Sequence, residues 1–160
     1  MPGDPENSQL SDEVSLRIAA PADRLYDIIT DIAQMGRLSP ECTGGKWVGD
    51  ATGPAVGASF KGSNKRGMAR WSTTNKVVAA TPGEEFAFET IQSGTRWTYR
   101  LQADGDSTVV TESRAAFKDR PLLARAFSKV LLGGVDEHDD EMRAGMQATL
   151  ERLKAVAEQG

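Results

Sequence analysis

The sequence has one cysteine, Cys42, so no intrachain disulfide can form and a disulfide-stapled secreted scaffold is excluded. Its one histidine, His138, excludes a histidine-rich metal centre. A Ser-His-Asp triad would have to use that same residue. No run approaches the ~20 apolar residues that a membrane helix needs, so no integral membrane association is expected. The start, Met1-Pro2-Gly3-Asp4, has neither a basic stretch nor an apolar one. No signal peptide is expected there, and the cytoplasm is the expected location. Neither sign of charge dominates: 19 Lys+Arg against 23 Asp+Glu leave a net charge of −4. Nucleic-acid binding, which needs a dense positive face, is not expected. Gly44-Gly45 and Gly133-Gly134 lack the GxxxxGK[ST] context of a phosphate loop.

What is present is an ordinary globular composition. The 160 residues are 39% hydrophobic and 26% charged, wrong for a disordered chain. A domain of this size buries roughly 70% of its unfolded surface, enough for a core with a cavity inside it. Residues 1–11 are polar, with Pro2, Gly3 and Pro5, and read as a disordered tail. Residues 12–160 read as a single domain, and a monomer or weak homodimer is expected.

Val14, Leu16 and Ile18 alternate with polar residues, which predicts a strand. Pro21 then suits a first helical position, and Leu25, Ile28, Ile29 and Ile32 recur at helical spacing. A helix is predicted from Ala22 to about Asp31, and a second short one from Ala33 to Leu38. Alternation and turn signals then predict strands at Thr43–Val48, Ala58–Asn64, Arg70–Ala79, Glu85–Thr90, Thr95–Gln102 and Ser107–Phe117. Ser63–Met68 reads as a hairpin turn, and short connections imply antiparallel neighbours. A helical stripe covers Leu122–Leu132, Gly133-Gly134 interrupts it as either a hinge or a plain turn joining two helices, and a long helix runs from about Asp136 to Glu158. This order predicts an α+β fold. It is a curved antiparallel sheet of about seven strands around the long C-terminal helix, with two short helices after the first strand.

Several segments carry a family resemblance. They are Ile18-Ala19-Ala20-Pro21-Ala22-Asp23-Arg24-Leu25-Tyr26-Asp27, Leu38-Ser39-Pro40-Glu41-Cys42, Arg70-Trp71, Pro82-Gly83 before Phe86-Ala87-Phe88, and Trp97-Thr98-Tyr99-Arg100-Leu101. Asp104-Gly105-Asp106 before Val110-Thr111-Glu112 and the closing Gly145–Lys154 segment complete the set. Over about residues 13–157 the chain resembles the START and birch-pollen-allergen-like superfamily (SRPBCC), and within it the polyketide cyclase/dehydrase and lipid-transport group. The resemblance implies a helix-grip fold with an apolar pocket for a lipid, polyketide or steroid-like ligand. No segment reproduces a catalytic signature of the aromatase/cyclase enzymes.

Strand alternation selects the candidate site residues. Trp71, Thr73, Asn75 and Val77 share one face, as do Phe86 and Phe88, and Trp97, Tyr99 and Leu101. With Met142 and Met146 on the closing helix, they line either an aromatic pocket or a filled core. Glu112, with Arg114 on the same strand face, is read as a pocket carboxylate that orients a ligand hydroxyl or acts as a general base. Arg114 is expected to hold it charged or to bind an anionic headgroup. The opposite face, Val109, Thr111, Ser113 and Ala115, is equally able to point inward.

His138 sits among acids at a helix start, which the helix dipole explains without a metal. No metal and no cofactor are expected. Cys42 reads as a small buried residue. Lys61, Lys65, Arg66 and Arg70 surround a hairpin and read as a charged tip or as a patch for an anionic group or surface. The leading expectation is non-enzymatic binding of a small hydrophobic ligand. The alternatives are a cyclase/dehydrase-type enzyme using Glu112, Arg114, Tyr99 or His138, and a protein-interaction module using Leu123, Phe127 and Val130.

Overall fold

The structure is a computed structural model that describes residues 11–39, 42–117 and 135–159. Strand β1 (Ser11–Ile18) leads into helix α1 (Ala22–Ile29) and a 3-10 helix (Ile32–Arg37). Then follow β2 (Cys42–Trp47), β3 (Ser59–Arg66), β4 (Ala69–Thr81), β5 (Glu85–Thr90), β6 (Thr95–Asp104) and β7 (Ser107–Ala116). Helix α2 (Val135–Glu158) closes the chain. The strands form one curved, seven-stranded sheet in the order β1-β7-β6-β5-β4-β3-β2. Every neighbouring pair is antiparallel. Helix α2 lies against β1, β7 and α1. This is the α+β helix-grip arrangement expected from the sequence.

Differences from the expected boundaries have local causes. Pro21 is the N-cap of α1, with extended backbone, rather than its first residue. The helix stops at Ile29, where the Thr30 hydroxyl donates back to the Tyr26 carbonyl at 2.8 Å. The β3 and β4 strands run on to Arg66 and Ala69, so the hairpin loop is only Gly67-Met68. Gly67 at φ 60° supplies the left-handed first position that a tight two-residue loop needs. The sequence showed the loop but not how far the ladder climbs toward it.

The concave face of the sheet holds the core. Phe60, Val77, Phe86, Phe88, Leu101 and Val110 meet Leu25 and Ile29 of α1 and Leu150 and Leu153 of α2. Aromatic edges pack onto faces: Trp47 to Phe60 at 5.5 Å, and Phe60 to Phe88 at 5.1 Å. A Cβ on Gly45 would stand 2.8 Å from the Ile32 side chain, so glycine there lets the 3-10 helix lie on β2. The buried Thr108 hydroxyl donates to the Ala20 carbonyl at 2.8 Å and ties β7 to the start of α1. On the convex face, charges pair across strands. Arg96 meets Glu89, Arg100 meets Glu85, and Arg17 meets Asp104.

Among the described residues no helix is long and apolar enough to cross a membrane. No cluster of His, Cys, Asp and Glu among them could hold a metal. Residues 1–10 of the tail expected at 1–11, the Leu122–Leu132 stripe with Leu123, Phe127 and Val130, and the Gly133-Gly134 hinge lie outside the described residues, while Ser11 opens β1. So do the side chains of His138 and Met142.

Candidate functional site

Strand β7 decides which residues face inward. Thr108, Val110, Glu112 and Arg114 are buried in strict alternation, while Val109, Thr111 and Ser113 are half-buried on the other side. The face carrying Glu112 is therefore the concave one. Register then sets its neighbours. Glu112 stands opposite Val14 of β1 and Tyr99 of β6, and Tyr99 stands opposite Phe86 of β5. The next rung is Asp12, Arg114, Trp97 and Phe88. Two rungs of aromatic and charged side chains thus lie side by side on one buried floor.

Glu112 is 3% exposed. Its Oε2 accepts a hydrogen bond from the Tyr99 hydroxyl at 3.1 Å. Its Oε1 is buried and has no hydrogen-bond partner among the described residues. Burial penalises the charged form, and the Tyr99 hydrogen bond offsets this only in part, so the carboxyl is pushed up to about 8. Near neutral pH it mostly keeps its proton. Tyr99 is pushed well above its ordinary range, first by burial and then by the neighbouring Glu112 carboxylate. A charge on Cys42 would act in the same direction. Burial also raises the Cys42 thiol, which leaves it protonated and poorly nucleophilic, in keeping with the half-buried position it occupies.

Arg114 does not serve Glu112. Its guanidinium pairs with Asp12, which also accepts from Arg143 of α2. The expectation that Arg114 holds Glu112 charged is corrected, and the reason is geometric. Asp12 lies directly across the ladder from Arg114, whereas Glu112 is two residues away along the same strand. Burial works against charge on Asp12, but the hydrogen bonds from Arg114 and Arg143 outweigh it and hold the carboxyl below the ordinary range. Sequence reading missed Asp12 by assigning the strand only from Val14. The signal was there: Asp12, Val14, Leu16 and Ile18 keep one alternation.

The other candidates divide by position. Phe86 and Phe88 are buried in the core, Trp97 is half-buried, and Met146 of α2 is buried. Asn75 donates to Thr73 at 3.0 Å and accepts from Thr90 at 2.7 Å, so these polar groups satisfy one another. Trp71 shares their strand face but is 40% exposed at the far end of β4, opposite Asn64. It stands at the rim and not on the buried floor where the sequence reading put it. Two surface depressions lie away from Glu112. One, of about 440 Å³, spreads over the convex face near Glu85, Arg100 and Thr111. The other, of about 750 Å³, lies along α1 near Arg24, Ile28 and Val156.

Residues 10–158 match the family described as polyketide cyclase/dehydrase and lipid transport. The chain belongs to that family. Its fold is similar to the solution structure of a polyketide cyclase-like protein from Corynebacterium glutamicum, at 30% identity and a TM-score of 0.61. That match covers 96% of this chain and 91% of the other. The di-domain ARO/CYC StfQ of the steffimycin biosynthetic pathway matches at 16% identity and a TM-score of 0.74. There the chain covers 96% of itself and 53% of StfQ, about half of the di-domain protein. A protein from Nitrosomonas europaea matches at 10% identity and a TM-score of 0.72, covering 96% of this chain and 97% of that one. These last two likenesses show the fold alone. No curated protein matches the chain.

Proposed function

We propose that the concave face binds a small, largely apolar molecule and meets its polar end with Glu112 and Tyr99. The observation that carries this reading is the buried Oε1 of Glu112, which has no partner among the described residues. Leaving such an atom unsatisfied costs about 1–3 kcal/mol, and native structures keep few of them. A ligand hydroxyl or carbonyl oxygen, accepting the proton that Oε1 carries when Glu112 is neutral, supplies the missing hydrogen bond. Phe86, Phe88 and Trp97 on the adjoining strands supply apolar contact, and Met146 of α2 is a further buried apolar residue. Family membership supports the ligand class, a lipid, polyketide or steroid-like molecule.

A second reading is favoured by one observation. A carboxyl at about 8 is poised near neutral pH, where a general acid or base works best. On this reading Glu112 moves a proton to or from a bound polyketide-like substrate, with Tyr99 holding its other oxygen.

Tryptophan fluorescence tests both. Wild type and Glu112→Gln are titrated with a hydroxylated steroid, a flavonoid and a fatty acid, and bound ligand is recovered for mass spectrometry. The binding reading expects saturable quenching from Trp97, about tenfold weaker in the variant for the hydroxylated probes, and ligand returned unchanged. A converted ligand, with conversion lost in the variant, supports the enzyme. A flat response of folded wild type across all the probes removes both.

A further inference from the structure

The β3–β4 hairpin carries a feature that the concave face does not use. Between Asp50 and Glu84 the sequence has no acidic residue, yet Lys61, Lys65, Arg66, Arg70 and Lys76 all fall there, in a protein of net charge −4. Strand pairing concentrates these cations. Lys46 stands directly opposite Lys61, and Lys65 directly opposite Arg70. Like charges so placed destabilise a strand pair. Elsewhere on the convex face the arginines are neutralised by Glu89, Glu85 and Asp104. Lys46, Lys61, Lys65 and Arg70 make no ion pair with any described residue.

The tip beyond these cations is apolar. Met68 is 100% exposed, and Trp71, just below it on β4, is exposed as well. The turn does not need a methionine, because Gly67 supplies its left-handed residue. A bare apolar tip on a cationic shaft is the combination that seats an element in the headgroup layer of an anionic membrane.

We infer that this hairpin docks the protein onto an anionic lipid bilayer. Met68 enters the interface, Lys65 and Arg70 lie against the headgroups, and Lys46 and Lys61 add attraction from further down the shaft. A lipid layer fits better than an acidic protein. A stable protein interface buries about 1,000 Å² or more around a packed centre, and a narrow tip carrying Met68 and the partly exposed Trp71 offers no such centre. A fluid layer closes around it. The inference is independent of any ligand on the concave face.

Co-sedimentation with phosphatidylcholine vesicles, with and without phosphatidylserine, tests it. Wild type is expected to bind only the phosphatidylserine vesicles and to leave them as salt is raised. Lys65→Ala with Arg70→Ala weakens binding by about fivefold for each cation lost. The same double variant melts no lower than wild type, since it removes an opposed like-charge pair. Met68→Ser weakens binding while the salt dependence stays. Three results would overturn the inference: no binding of folded wild type to phosphatidylserine vesicles, a double variant that binds as well as wild type, or polyglutamate binding as tight as vesicle binding with Met68→Ser unchanged. The last result assigns the patch to an acidic protein.

Discussion

Replacing Glu112 with glutamine isolates the effect of one buried charge. Glutamine keeps the size and can still accept the Tyr99 hydrogen bond, but it cannot ionise. In the folded protein Glu112 holds its proton up to about pH 8, while an ordinary glutamate releases it near 4.5. Between those values the folded state binds one proton more than the unfolded chain. Stability is therefore highest below the ordinary value, falls as pH rises through this window, and levels off above about 8. Each pH unit in the window costs about 1.4 kcal/mol, which comes to about 5 kcal/mol across it. Against the 5–15 kcal/mol that typically holds a domain together, roughly, this is a large effect. Urea unfolding of wild type and Glu112→Gln from about pH 5 to about pH 9 measures it. The two proteins should lie within about 1 kcal/mol at the acid end, where both carry a neutral side chain. The variant should then gain on wild type by about 4 kcal/mol toward the alkaline end. A difference that stays constant across the range would refute the reasoning, because it would mean that folded Glu112 ionises like an exposed one.

Two further outcomes test the frame around that site. Asp12→Asn takes the paired carboxylate from the buried Arg114 and should cost about 3 kcal/mol in thermal or chemical unfolding at neutral pH. Asp12 has a lowered pKa, so its contribution is present above the ordinary 3.8 and is lost as pH falls through the folded value. The wild-type advantage should therefore shrink in acid, and an advantage unchanged at low pH would contradict the pairing. Leu150→Ala empties a position that is 0% exposed, where α2 seats on the core, and should cost about 3 kcal/mol in urea, with exposed Glu151→Ala as the neutral control. A cost under about 1 kcal/mol would mean that α2 does not fill the grip.

Local pattern determined much of this protein. The alternation of Phe86 and Phe88, of Trp97, Tyr99 and Leu101, and of Thr108 through Arg114 was enough to read strands and to group side chains by face. The helical spacing of Leu25, Ile28 and Ile29, and of Met146, Leu150 and Leu153, was enough for α1 and α2. These signals span only a few residues, so one sequence carries them in full. The tertiary structure decided everything that depends on which strand lies beside which. It chose the inward face of β7, set Tyr99 against Glu112, and gave Arg114 to Asp12 instead. It left Trp71 at the rim, and it placed Lys65 against Arg70 and Lys46 against Lys61. In each case the partners are set by sheet order and register, which arise from packing the whole sheet around α2. A buried carboxyl with a raised pKa exists only once that packing has removed water from around it.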